Sequence, residues 1–93
     1  MYIVLSTYLK PLPEVDRHLG AHRAFLDRNY AQGNFIVSGP KNPRTGGVIV
    51  ARSMLRQEID AILAQDPFTA HQVAKYEVVE FSATKKSSDF AFD

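Results

Sequence analysis

Two histidines four residues apart, His18 and His22, lie in the stretch RHLGAHRAFL, where a small domain ordinarily places apolar side chains. On a helix, positions i and i+4 share a side, so such a pair can chelate a metal ion. The Glu of an H-E-x-x-H site is missing, because Leu19 follows His18, and His71 stands far along the chain with no ligand spacing to either. No metal site is expected, and His18 reads as a solvated residue at a helix edge. His22 is different, one turn beyond Leu19 and one turn before Phe25 and Leu26, on the inward stripe. An imidazole there needs a partner for its ring N–H, or it costs about 1–3 kcal/mol in lost hydrogen bonding. On spacing alone the stronger reading is a core histidine satisfied by a backbone carbonyl.

Asp66 is the natural candidate partner. An Asp directly before Pro67 is an ordinary helix N-cap. The functional alternative makes the same carboxylate orient His22 for acid–base work near neutral pH. Spacing leaves both open.

The elements that must position these residues follow from pattern. Tyr2 to Leu9 is rich in β-formers and stops at Lys10-Pro11-Leu12-Pro13, which predicts a first strand. From Glu14 to Gln32 the residues Val15, Leu19, His22, Phe25, Leu26 and Tyr30 recur at helical spacing, which predicts one helix ended by Gly33. Phe35 to Ser38 and Val48 to Ala51 form a hairpin around the turn-rich segment Gly39 to Gly47. Ser53 is the expected N-cap of a second helix that turns Leu55, Ile59, Ile62 and Leu63 inward. Asp66-Pro67 opens a short turn through Val73, and Lys75 to Ser82 is the last strand.

The order βαββαβ is that of a ferredoxin-like α+β fold, with helices on one face of a four-stranded antiparallel sheet. Ile3-Val4-Leu5, Phe35-Ile36-Val37 and Val48-Ile49-Val50 are apolar at consecutive positions, so both sheet faces carry hydrophobic side chains. Helices cover only one of them. A second copy packed sheet against sheet about a twofold axis is the simplest cover, and a homodimer is expected.

Composition bounds the rest. The 93 residues make one domain with a formal charge of +1, which gives no reason to expect a nucleic acid or an anionic membrane as partner. The absence of cysteine excludes disulfides, thiol catalysis and cysteine-ligated zinc, and it fits a cytoplasmic protein. MYIVLSTYL has no basic segment before its apolar run and no small-residue cleavage site, so a signal peptide is not expected. No apolar run approaches the ~20 residues that span a bilayer. The expected domain covers residues 1–83, followed by a polar tail, 84–93, expected to be either mobile or docked on a partner subunit through Phe90 and Phe92.

Taken in order, H-R-A-F-L (22–26), Gly33, S-G-P (38–40), G-G-V-I-V-A (46–51), D-P-F (66–68) and Y-E-V-V-E-F (76–81) resemble the YciI-like (YCII-related) family. The resemblance implies a ferredoxin-like domain that dimerises into an α/β barrel. It also implies an active site on a His–Asp pair, which falls here on His22 and Asp66, with Ser38, Gly39 and Pro40 near the pocket. Many relatives carry an Arg three residues before the histidine, where this chain has Leu19. Arg17 and Arg23 could replace it but read as solvated, as do Lys41 and Arg44 on the hairpin tip.

Three functions fit this reading. The first is a cofactor-independent enzyme that uses the His–Asp pair for isomerase, lyase or dehalogenase chemistry on a small organic substrate. The second is a non-catalytic small-molecule binding or sensing dimer. The third is an interaction module that uses its sheet face. No Ser–His–acid motif, glycine-rich nucleotide loop or basic-aromatic stripe points to a further class.

Overall fold

Alternation along the first strand sorts its side chains into two sets. In the computed structural model, which describes residues 1–90, β1 (Tyr2–Tyr8) buries Tyr2, Val4 and Ser6, while Ile3, Leu5 and Thr7 point to the other face. The chain continues as α1 (Leu12–Arg17), α2 (Leu19–Ala31), β2 (Phe35–Pro40), β3 (Gly47–Ala51), α3 (Arg56–Ala64), α4 (Pro67–Ala70) and β4 (Ala74–Glu80). The four strands form one sheet in the order β2-β3-β1-β4, and every pairing is antiparallel. This is the α+β, ferredoxin-like arrangement expected from the element order.

Register carries the alternation across the sheet. Val4 lies opposite Ile49 and Val78, and Tyr2 opposite Ala51 and Glu80. The buried set joins Phe25 of α2 with Ile59 and Leu63 of α3 in the main core, which also holds Phe35. A second, smaller cluster gathers Val15 of α1, Phe68 of α4, Val73 and Ala74. On the opposite face Ile3 lies between Val50 and Val79, Leu5 opposite Val48, and Val37 opposite Val50. Val37 is 55% exposed and Val79 42%, so this apolar face lies open.

Several expected boundaries are corrected. The segment 14–32 is two helices, interrupted at His18, which has φ −103° and ψ 1°. The interruption lets Val15 pack in the small cluster while Phe25 enters the main core. Gly20, a weak helix former, follows the break closely. Gly33 ends α2 with φ 77°, a left-handed conformation that glycine adopts without steric cost. Tyr30 does not join the core: it is 37% exposed, and its hydroxyl is 2.7 Å from the Ser38 hydroxyl. The inward position of that turn belongs instead to Asn29, whose amide donates to the Phe25 carbonyl and whose Oδ1 accepts from Asn34.

Ser53 does not cap α3. The cap position is Leu55, which is 62% exposed rather than inward, and its N–H donates to the Glu58 carboxylate. Ser53 Oγ accepts from the terminal ammonium of Met1 instead. In the tail, Phe90 N–H donates to the Ser87 carbonyl, and Phe92 lies outside the described residues. Among the described residues no helix is long and apolar enough to cross a membrane.

Candidate active site

The aspartate at 66 is placed by local chemistry. Pro67 suits the first helical position, and the Asp66 carboxylate caps α4 by accepting from Phe68 N–H at 3.0 Å. Capping does not exhaust it. His22 Nδ1 lies 2.9 Å from Oδ1 and 3.0 Å from Oδ2, and the Tyr76 hydroxyl donates to Oδ2. The N-cap and the histidine partner are therefore one group. Asp66 is fully buried, and no buried side-chain polar atom among the described residues lacks a hydrogen bond.

The His22 ring is held on its faces as well as its edge. It stacks on Phe68 with centroids 4.1 Å apart and planes 3° apart, and it lies 6.1 Å from Phe25. Its side chain keeps 15% exposure. With Nδ1 committed to the carboxylate, Nε2 is the nitrogen left for whatever enters beside the ring. Tyr76, on β4, faces the same way as its neighbours in register, Ser6 on β1 among them. Burial, the Asp66 charge and the hydrogen bond to it push the Tyr76 phenol well above the usual tyrosine range, so it remains a neutral donor.

His22 forms part of the wall of a cavity of about 390 Å³. Strand β1 supplies Ser6 and Tyr8, and α2 supplies Leu19, Arg23 and Leu26 beside His22. The hairpin supplies Ser38, Gly39, Pro40, Arg44 and Gly47, while Phe68 and Tyr76 complete the wall near Asp66. The three hairpin residues expected near the pocket, Ser38, Gly39 and Pro40, all lie on its wall. The hairpin sits tightly on β1, because a Cβ on Gly46 would overlap the Ser6 carbonyl, and Gly47 N–H donates to Ser6 Oγ at 2.8 Å.

Sequence reasoning missed Ser6, Tyr8, Phe68 and Tyr76. Period-two alternation back from Val78 was the signal for Tyr76, and alternation on from Val4 the signal for Ser6. Arg23 and Arg44, read as solvated, both line the cavity, whereas Arg17 and Lys41 do not. Arg44 donates to Asp16 at 2.6 Å, and its guanidinium lies 5.8 Å from the Tyr8 ring centroid. The His18 ring stacks on His71, with centroids 4.2 Å apart, and the His18 carbonyl accepts from His22 N–H. No group of three or more metal-ligating side chains occurs among the described residues.

Comparison with known proteins agrees with this architecture. The family model of the YCII-related domain matches residues 1–82. No curated protein matches the chain. Among solved structures, a similar one is 5-chloro-2-hydroxyhydroquinone dehydrochlorinase (TftG) from Burkholderia phenoliruptrix AC1100, in complex with 2,5-dihydroxybenzoquinone. The TM-score is 0.73 at 20% identity, covering 88% of this chain and 94% of that one. At that identity the likeness speaks to the fold.

Proposed function

Because this chain belongs to the YCII-related family, we propose that it is a homodimeric, cofactor-independent enzyme that uses His22 as general base and acid on a small organic substrate. The observation that carries the proposal is the fully buried Asp66 carboxylate 2.9 Å from Nδ1 of a histidine in a cavity wall. A carboxylate on Nδ1–H fixes the ring orientation and stabilises the imidazolium formed when Nε2 takes a proton. Tyr76 and Phe68 N–H hold the carboxylate itself in place. Returning the proton to another carbon is isomerase chemistry. Loss of a leaving group with its bonding pair is lyase or dehalogenase chemistry. The fold shared with a dehydrochlorinase favours the last of these by analogy only.

The test is turnover of a panel of hydroxylated and halogenated aromatics that includes 5-chloro-2-hydroxyhydroquinone, followed by release of protons and chloride. His22→Gln and Asp66→Asn should each lower turnover by about 10²–10⁴-fold, the usual worth of general acid–base catalysis. Turnover that survives His22→Gln would overturn the role of His22. Panel compounds that bind without reacting would make the chain a binding or sensing dimer.

The proposed dimer buries the open sheet face of Ile3, Leu5, Val37, Val48, Val50 and Val79 against its copy. The exposed Val37 and Val79 on the two edge strands, with half-buried Ile3, Leu5, Val48 and Val50 between them, support that interface. Val50→Lys would place a charge there and should split the dimer. A wild-type chain that sediments as a monomer at micromolar concentration would overturn it.

A further inference from the structure

We propose that the pocket takes a single-ring organic anion whose oxygen-centred negative charge is held by Arg23 and Arg44. The inference rests on the pocket and base of the proposed function and adds the charge and shape of the substrate. Its first support is the balance of charge on the cavity wall. The permanently charged side chains there are the arginines at 23 and 44, and the wall includes no Asp, Glu or Lys. Two carboxylates stand next to wall residues: Asp66, fully buried behind His22, takes its hydrogen bonds from His22, Phe68 N–H and Tyr76, and Asp16 pairs with Arg44. A cleft lined by one sign of charge between low-dielectric walls concentrates ligands of the opposite sign.

Arg44 is also held ready. It reaches from the hairpin tip to Asp16 of α1 and passes over the Tyr8 ring, so its guanidinium stays at the cavity. A guanidinium has five N–H donors, and the contact with Asp16 engages one nitrogen. The Asp16 side chain is 50% exposed, and an ion pair so solvated yields readily to a second oxygen anion. Arg23 follows His22 directly on α2 and forms no ion pair among the described residues. Both arginines line the same cavity as the imidazole, so an anion they hold there shares the pocket with His22. Leu19, Leu26, Pro40, Ile49 and Phe68 give the wall apolar surface for a ring, and about 390 Å³ suits one ring with small substituents.

Benzoate and its neutral isostere benzamide test this by amide NMR titration of the full chain, up to tens of millimolar at low ionic strength. Benzoate should saturate at least about fivefold more tightly, with shifts at the hairpin tip and at residues 22–26, and added salt should weaken it. Arg44→Ala and Arg23→Ala should each weaken benzoate about five- to tenfold and leave benzamide unchanged, while Arg44→Lys keeps part of the preference. Arg23 is exposed and the Arg44 side chain 34% exposed, so both variants should fold, which the same spectra report. Equal binding of benzamide, benzoate binding indifferent to both arginines, or no benzoate binding would each overturn the inference. These readouts need no turnover. Failure of the acid–base role would appear instead as activity surviving His22→Gln, with anion binding intact.

Discussion

The helix-covered face of the sheet has two ends built from the same strands. At one end Tyr2, Ala51 and Phe35 lie in register, and Phe25, Ile59 and Leu63 close over them to leave a dry core. Toward the other end the same strands present Ser6, Gly47, Ser38 and Pro40, side chains too small or too polar to fill the space beneath α2. The cavity opens there. A site has been made by reducing side-chain volume at one end of a face whose other end holds the fold together. His22 stands at the junction, stacked on Phe68 of the small cluster and within 6.1 Å of Phe25 of the main core.

Truncations should separate the two ends. Phe25→Ala removes a fully buried ring from the closed end and should cost about 3–5 kcal/mol in chemical unfolding. Asp66→Asn, at the junction, should cost about 1–3 kcal/mol, because an amide cannot accept from His22, Tyr76 and Phe68 N–H together. An Asp66→Asn loss as large as that of Phe25→Ala would make the site part of the core and erase the distinction.

Tyr76→Phe should cost about 1.5–3 kcal/mol, the range for a hydrogen bond to a charged group, and should also alter the response to alkali. The Tyr76 phenol is raised in the folded state, chiefly by burial and then by Asp66. Its protonated form therefore supports the fold fully below the unfolded value of about 10, and that support is lost as pH rises beyond it. Unfolding of wild type above about pH 10 should show this decline, and Tyr76→Phe should flatten it. An unchanged alkaline slope would place the decline elsewhere.

Ser6→Val narrows the open end and should cost about 1–3 kcal/mol, because Gly47 N–H loses its acceptor, while weakening ligand binding in the cavity. A large loss of stability there would show that Ser6 Oγ, through Gly47 N–H, holds the hairpin as firmly as the core does. The smallest effect belongs to the tail. Deletion of residues 84–93 should leave the unfolding free energy within about 0.5 kcal/mol of wild type, since residues 84–90 lie beyond β4 and outside both clusters.

Much of the fold was legible in the sequence, and the reason is range. Strand alternation, the Gly33 stop and the Asp66-Pro67 start each depend on a residue and its neighbours within about one helical turn, through steric limits and local hydrogen bonds. The inward place of His22 follows from the same periodicity. Local signals also misled where packing overrode them. Val15 and Phe25 read as one stripe but enter different clusters, and Ser53 reads as a cap but meets the terminal ammonium.

Periodicity placed His22 on the inner face but left its partner open, because Asp66 is 44 residues away and every mark of an N-cap on it is local. Only the crossing of α2 over the start of α4 turns the cap into a histidine partner, and only the pairing of β1 with β4 adds Tyr76 to the same carboxylate. The arginines needed the same information. Arg44 becomes a cavity residue because the hairpin folds back onto β1 and Asp16 catches its tip. Whether a polar side chain meets solvent or a partner is set by what distant segments bring within about 3 Å, and short-range pattern carries no record of that distance.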